Sequence, residues 1–341
     1  MAVTRVNITS ADREKLLAAL AQFPRHSIVL LGDLVADEFV HGEIARVSRE
    51  APVLILKLRE KQILPGGGAN AACNLAALGA TVIPVGVVGD DESGEGLRQC
   101  FRERGISTRH ILRLRGHVTP TKSRVLGGLS HWQRQQIVRI DREPAVLPSA
   151  ALRRQLAETA ARFLRTSSGL LVSDYGYGTT SAREVGALAR KFCKRIPVTV
   201  DSRYDLPTYS GVTAATPNEP EVEEAIGKNI GANQGLLHEA GRKLLRRMGL
   251  QALVVTRGRD GMVLFEPQRP PRHIPVFGSD QALDVTGAGD TVIAAFTLSL
   301  AAGATPLQAA QLANCAGGLV VMKRGTATVS AQELQEAIRN A

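Results

Sequence analysis

"DVTGAGDTVIAAF", Asp284 to Phe296, sets a Thr-Gly-Ala-Gly turn between two aspartates and runs straight into an apolar, helix-like segment. Gly287, Ala288 and Gly289 would open that helix, where backbone N–H groups lack a partner in any preceding turn and the helix dipole is positive. Such a start can hold an anion. Asp290 would lie in the first turn, placed to accept a proton there. The plainer alternative is an acid that complements the dipole behind an ordinary tight turn. Asp284 precedes the glycines and would shape the loop or a neighbouring cation site.

The same device occurs upstream. "GGGANAACNLAALGA", residues 66–80, is a Gly-rich turn opening an Ala/Leu helix that Gly79 closes. Before it, "SIVLLGD", residues 27–33, reads as a buried strand that delivers a polar group at its carboxyl end. "FVHGEIARVS" and "PVLILKLREKQIL" follow as strands with no helix between them, which predicts a small sheet outside the main one. Helical patterns then fall at 91–104, 148–165, 180–193, 233–247, 288–302 and 306–320, alternating with the strand-like "TVIPVGVVGD", "GLLVSD", "PVTVD" and "ALVVTRG". This alternation predicts an α/β protein with a parallel sheet and helices on both faces. Ligands bind such sheets beyond the carboxyl ends of the strands, where Asp33, Asp174 and Asp201 stand.

Composition narrows the function classes. Of 341 residues 44% are hydrophobic, enough for a sizeable core, and the formal net charge of +10 favours anionic ligands. With 4% aromatic residues and Trp132 as the sole tryptophan, no basic and aromatic pattern for stacking bases is present, so nucleic acid is not an expected partner. Cys73, Cys100, Cys193 and Cys315 are far apart and read as small buried hydrophobes in a reducing compartment. The N-terminus reads as an amphipathic helix over about 9–23, capped by Thr9 or Ser10, with Leu16, Leu17, Leu20 and Phe23 on one face. Charges at Asp12 to Lys15 exclude a signal peptide, and no apolar run could span a bilayer, so a cytoplasmic protein is expected.

The phosphate motifs of best-known spacing, GxxxxGK[ST], GxGxxG after a strand, and the HRD and DFG pair, are absent. Other groups could do related work. "GDLVAD" offers Asp33 and Asp37, and "PGGGAN" offers Asn70 at a helix start, a set able to hydrogen-bond neighbouring hydroxyls of a sugar. "TPNEPE", residues 216–221, puts Asn218 and Glu221 three apart, suited to hold hydrated magnesium beside phosphates or, more simply, to cap a helix.

Taken in order, Gly32-Asp33, "GGGAN", "VGVVGDD", "SDY", "TPNEPE", "VTRGRDG" and "DVTGAGD" resemble the ribokinase-like (PfkB) family of carbohydrate kinases over about residues 27–330. The resemblance implies a three-layer α/β/α sandwich with a mostly parallel central sheet and a small β lid, over 1–341 as one kinase domain. Lid strands are expected within about 36–62 and 108–140. It implies ATP as donor, Mg2+ as cofactor, a monovalent cation as a further possibility, and transfer of the γ-phosphate to a sugar hydroxyl. Carried over by position, Asp290 is the catalytic base, with Gly287, Ala288 and Gly289 as the anion hole. Asp33, Asp37, Gly67, Gly68, Asn70 and Asp174 bind the sugar. Asn218, Thr256, Gly258, Gly287, Gly289 and Asn314 bind ATP, Asn314 near its base, and Glu221 with Asn218 holds magnesium through water.

Within that family, "GEIARVSREAPVLILKL", "PTKSRVLGG", "QQIVRIDRE", "SDYGYG" and "MKRGTATVS" are similar to segments of kinases that phosphorylate D-glycero-D-manno-heptose 7-phosphate at its anomeric carbon, a step toward lipopolysaccharide heptose. Lys122, Arg124 and Arg139, with Arg46 and Arg203, would then grip the phosphate already on the substrate. The sequence departs from those kinases at Arg49, at Ser202-Arg203 and at Tyr177, where a lysine is usual. A kinase without the fused nucleotidyltransferase of many relatives is expected, as is a homodimer through the lid's sheet edges. Ribose, fructose phosphate or a nucleoside is the alternative acceptor, and a non-catalytic ligand-binding relative the alternative class.

Overall fold

The computed structural model describes residues 9–128, 135–278 and 282–341; Trp132 lies outside them. Along the chain, α1 (Ser10–Leu20) leads to β1 (Ser27–Gly32), β2 (Leu34–Val47) and β3 (Leu54–Gly67), then α2 (Gly68–Ala77), β4 (Thr81–Gly89), α3 (Glu92–Glu103) and β5 (Ile111–Leu114). Next come β6 (Thr121–Gly128), β7 (Gln135–Arg142), α4 (Ala150–Phe163), β8 (Gly169–Asp174), α5 (Ala182–Phe192), β9 (Val198–Ser202) and β10 (Ala214–Ala215). The remainder is α6 (Glu219–Ile226), α7 (Gln234–Met248), β11 (Ala252–Thr256), β12 (Met262–Phe265), β13 (Arg272–Ile274), α8 (Ala288–Ala301), α9 (Pro306–Val320) and α10 (Ala331–Asn340).

The strands form a nine-stranded sheet in the order β13-β12-β11-β10-β9-β8-β1-β4-β5 and a four-stranded sheet in the order β3-β2-β6-β7. From β5 to β11 every pairing of the large sheet is parallel, and only β12 and β13 run antiparallel, at one edge. Alternate residues of β1 serve opposite layers. Ile28 and Leu30 pack with α1, α2, α8, α9 and α10, while Val29 and Leu31 pack with α4, α5 and α7. A strand buried on both faces must be apolar at every position, which is why "IVLL" carries no alternation.

Helix α8 is buried on all sides from Asp290 to Ser299. Phe296 at its centre is fully buried, a contribution of roughly 2–3 kcal/mol from its side chain alone. This burial fixes the helix start, and so Asp290, to the body of the molecule.

Three features differ from the sequence expectation. The first helix ends at Leu20 rather than near Phe23, because Pro24 cannot donate into a continuing helix; Phe23 to Arg25 form one 3-10 turn instead, and Phe23 is fully buried. Of the expected lid stretch 108–140, residues 111–114 belong to the large sheet, paired with β4; only β6 and β7 join the small one. The short strands β10, β12 and β13 and the helix α10 carry too little periodicity to be read in advance. Helix α10 is set by a capping box between Ser330 and Glu333 and by burial of Leu334 and Ile338.

The small sheet grows directly out of the large one. β2 begins two residues after β1, pairs antiparallel with β3 from Leu34↔Gly67 outward, and pairs parallel with β6. Its outer strands meet water: every described residue of β7 is exposed, as are Leu54 and Leu58 of β3.

Candidate active site

Asp290 sits in the first turn of α8 and is only 2% exposed. Its two oxygens are held separately: Asn70 Nδ2 donates to Oδ2 at 3.0 Å, and the Tyr175 hydroxyl donates to Oδ1 at 2.8 Å. Burial pushes its pKa up to about 7, against those two hydrogen bonds, which favour the charged form. An acid tuned there can take a proton at neutral pH. Asn70 is itself fixed, donating also to the Gly287 carbonyl at 3.2 Å and accepting from Asn74 at 3.1 Å. Gly287, the N-cap of α8, has φ +76, and a Cβ there would lie 2.4 Å from Asn70 Nδ2, so both conformation and space require glycine.

The helix start faces a cleft in two parts. One part is mainly apolar, lined by Thr256, Gly258, Met262, Val276, Val292 and Asn314 among others. Asn314 turns its amide onto the Pro275 carbonyl at 2.8 Å. The other part is polar, lined by Asp174, Tyr175, Asp201, Arg203, Asn218, Glu221 and Gly287 to Asp290. Thr256 and the Ala288-Gly289 pair line both, so the parts meet at the mouth of α8. Of the three candidate amides, that of Ala288 turns back onto the Val285 carbonyl at 3.2 Å, whereas a Cβ built on Gly289 would meet nothing within 4 Å.

Asn218 and Glu221 form a capping box on α6: Asn218 Oδ1 accepts from the Glu221 N–H at 2.8 Å, and Glu221 Oε2 accepts from the Asn218 N–H at 2.9 Å. The capping reading is thus realised, and it still leaves Glu221 in the cleft beside Asp201. Burial raises the pKa of both acids, and the charge of Glu221 adds to the rise at Asp201. The loop after β11 is tied to the same helix start by Arg257, which donates to Glu219 at 2.6 Å. Among the described residues no three His, Cys, Asp or Glu side chains converge to hold a metal directly. One or two carboxylates beside phosphates nonetheless suit a magnesium ion that keeps its waters.

The expected sugar residues divide. Asp33 is turned to the main chain: it accepts from the N–H groups of Tyr175 at 2.8 Å, Tyr177 at 3.0 Å and Thr179 at 3.0 Å, and is 1% exposed. It therefore pins the 175–179 loop. Asp174 likewise accepts from Gly176 N–H at 3.0 Å, the Ser202 hydroxyl at 2.8 Å and the Tyr209 hydroxyl at 2.7 Å. Gly67 has φ +52 and backs onto the Tyr175 ring, 3.1 Å from its would-be Cβ, and a Cβ on Gly68 would meet the Asp33 carbonyl oxygen at 2.7 Å. Asp37 forms a buried ion pair with Arg124, and burial raises its pKa against that attraction.

Of the expected cations, Lys122 stands at Tyr177. Lys122 Nζ lies 3.4 Å from the Tyr177 hydroxyl and 3.7 Å from Asp141, and Arg139 grips Asp141 through two hydrogen bonds of 2.8 and 2.7 Å. Arg124 lies over the Phe39 ring at 5.4 Å, and Arg203 over Tyr204 at 5.5 Å. Arg46 is exposed near the outer end of β2, and Arg49 and Glu50 are exposed beyond it.

Residues 25–333 match the pfkB family carbohydrate kinase profile. The chain belongs to that family. The kinase is 39% identical over 329 residues to the Bifunctional protein HldE of Mesorhizobium japonicum, covering 95% of this chain and 64% of that protein. It is 37% identical to the Bifunctional protein HldE of Pelobacter propionicus, covering 96% of this chain and 66% of that one. The kinase thus spans just under two thirds of the length of these relatives. Arabidopsis thaliana ribokinase, solved with ribose and ATP, superposes with TM-score 0.73 at 20% identity, over 92% of this chain and 99% of that one. Phosphofructokinase-2 of Escherichia coli, solved with substrates and products, superposes with TM-score 0.72 at 18% identity, over 92% and 99%. These likenesses place the kinase in the ribokinase-like fold, and its class of reaction is phosphotransfer to a sugar hydroxyl.

For three groups in the kinase's cleft, the sequence does not show the partners. Tyr175, on Asp290, sits inside the recognised "SDY" segment but carries no signal that its hydroxyl reaches residue 290. Asp201, next to last in β9, and Arg203, just after it, line the cleft. The sequence places Asp201 at a strand end and Arg203 among the candidate cations, yet gives no hint that Glu221 of α6 lines the same cleft.

Proposed function

We propose that this kinase transfers the γ-phosphate of ATP to the anomeric hydroxyl of D-glycero-D-manno-heptose 7-phosphate, giving the 1,7-bisphosphate. The observation that carries this reading is the position of Asp290: held by Asn70 at the mouth of α8, it lines a two-part cleft and feels the charge of Asp37, the partner of Arg124 on the lid. The cleft fits the nucleotide, its apolar part taking the base near Thr256, Gly258 and Asn314 and its polar part the phosphates. A hydrated magnesium ion beside Glu221 and Asn218 would neutralise charge on the phosphates. Asp290 accepts the proton of the attacking hydroxyl, and the Gly287 and Gly289 amides receive the transferred group's charge.

The cation cluster supports an acceptor that already bears a phosphate. Lys122 stands against Tyr177, next to the position where heptose kinases carry a lysine, so its ammonium can supply the charge that Tyr177 lacks. Arg124 and Arg139 flank it, each matched by a carboxylate that a phosphate could replace as partner. Asp37 and the Gly67-Gly68 turn would border the sugar. In this reading Asp33 and Asp174 shape the acceptor wall through the main chain instead of touching hydroxyls. The exposed edges β3 and β7 suit a lid-to-lid homodimer, and a cytoplasmic location fits the relatives' chemistry; among the described residues no helix is long and apolar enough to cross a membrane.

The test is ADP release by the purified chain with magnesium and ATP across four acceptors: heptose 7-phosphate, fructose 6-phosphate, ribose and a nucleoside. Phosphorus NMR of the product shows whether the new phosphate is anomeric. Turnover with another acceptor and none with heptose 7-phosphate would reject the heptose while leaving the kinase.

A further inference from the structure

We infer that the Tyr175 hydroxyl stands on Asp290 in the place an acceptor hydroxyl takes during transfer, and so keeps water off the base until a sugar displaces it. A hydroxyl that gives its proton to Asp290 must come within about 3 Å of a carboxylate oxygen. Asn70 already holds Oδ2, and the phenol occupies Oδ1 at 2.8 Å with its O–H pointing inward, as an acceptor's would. With both oxygens covered, Asp290 retains almost no exposed surface. Tyr175 also lines the polar part of the cleft together with Gly287, Ala288 and Gly289, so the phenol stands where the base meets the phosphate site.

The surroundings decide which part of Tyr175 can move. Its main chain is anchored, because the Tyr175 and Tyr177 N–H groups donate to Asp33 Oδ2 and the Thr179 N–H to Asp33 Oδ1. Displacement is therefore a swing of the side chain away from Gly67, with the loop in place. The ring contacts Gly67 where a larger residue would press on it. Asp33, an expected sugar ligand, acts here as the fixture that aims Tyr175.

The consequence concerns wasteful hydrolysis. Water in the acceptor's place could form a bond from its oxygen to the γ-phosphorus while the β,γ-bridging P–O bond breaks and its electron pair leaves on ADP; Asp290 would take the water's proton. Tyr175→Phe removes the hydroxyl and keeps the ring, opening room on the order of one water at Oδ1.

The inference rests on Asp290 as the base of the proposed function, and it is tested with ATP alone, so that it does not depend on which sugar is accepted. ADP release by the whole chain in magnesium and ATP without sugar is compared for the wild type, Tyr175→Phe and Tyr175→Phe/Asp290→Asn. Sugar-independent turnover is expected to rise about tenfold or more in Tyr175→Phe and to vanish in the double variant. A folded Tyr175→Phe with unchanged or lower turnover overturns the inference alone. A gain that persists in the double variant overturns the assignment of the base as well. Tyr175→Leu, which keeps apolar contact with Gly67, must shift turnover in the same direction, and its failure to do so also counts against the inference.

Discussion

In the body of the molecule the buried acids around the cleft are held by backbone N–H groups, an amide and hydroxyls; in the small sheet the charges are held by one another. Asp33 has three backbone donors, Asp174 has a backbone donor and two hydroxyls, and Asp290 hangs between Asn70 and Tyr175. On the lid, Arg124 leans on Asp37, and Lys122 and Arg139 share Asp141. At Asp33 and Asp174 the first arrangement is rigid, since moving either acid means breaking hydrogen bonds from backbone N–H groups. The second is exchangeable, since a phosphate can take a carboxylate's place. On the function proposed above, the reacting groups would belong to the body and recognition to the lid.

The largest effect expected of that division is at Asp290. Asp290→Asn should lower kcat by about 10²–10⁴ with the fold intact. In the wild type, kcat/KM should rise with pH through about 7 and level off above, because the base works only when ionised. The sign for stability is opposite. A carboxyl whose folded pKa is raised contributes stability that is present at low pH and lost as pH climbs through about 7, so Asp290→Asn should raise Tm relative to wild type above pH 7 and not at pH 4. A flat pH profile would remove Asp290 from the chemistry.

Next in size is Arg124→Ala, which strands the buried Asp37. It should cost about 3 kcal/mol in denaturant unfolding and raise the acceptor KM while leaving the KM for ATP unchanged. If KM for ATP moved equally, lid and body would not divide as argued. Gly289→Ala separates the two kinds of effect on one residue. A helical Ala in open space should hold or raise stability by up to about 1 kcal/mol, while its methyl crowds the phosphate's place and lowers kcat at least about tenfold. Smallest is Arg139→Ala on the exposed face of β7, which should raise KM severalfold for a phosphorylated sugar and not for its unphosphorylated counterpart, with little change in Tm.

Legibility followed the same division. β1, β4, β8 and β11 were readable because a strand buried on both faces is an unbroken apolar run. Helices α2 and α8 were readable because a glycine turn precedes each. β10, with two residues, and β13, with three, exist because neighbours pair with them, and no local pattern could announce that. The 111–114 strand was taken into the lid stretch because a four-residue strand does not state which sheet it will join. Among site residues, Asn218 with Glu221 spelled out a capping box in sequence, and Asp290 stood out by its place behind Gly-Ala-Gly.

What the sequence determined by itself is therefore local and periodic: the alternation that gives a parallel sheet, the two helix starts that can face an anion, and the family order of motifs. What only the tertiary structure decided is which donors reach each of two buried acids. Asp33 and Asp290 are both buried aspartates beside glycine turns, 257 positions apart in the chain. Asp33 is filled by three backbone N–H groups from a loop more than 140 residues away, while Asp290 receives two side-chain donors, from Asn70 and the Tyr175 hydroxyl. A carboxylate's role depends on which donors reach its oxygens, and those donors come from distant segments that only folding brings together.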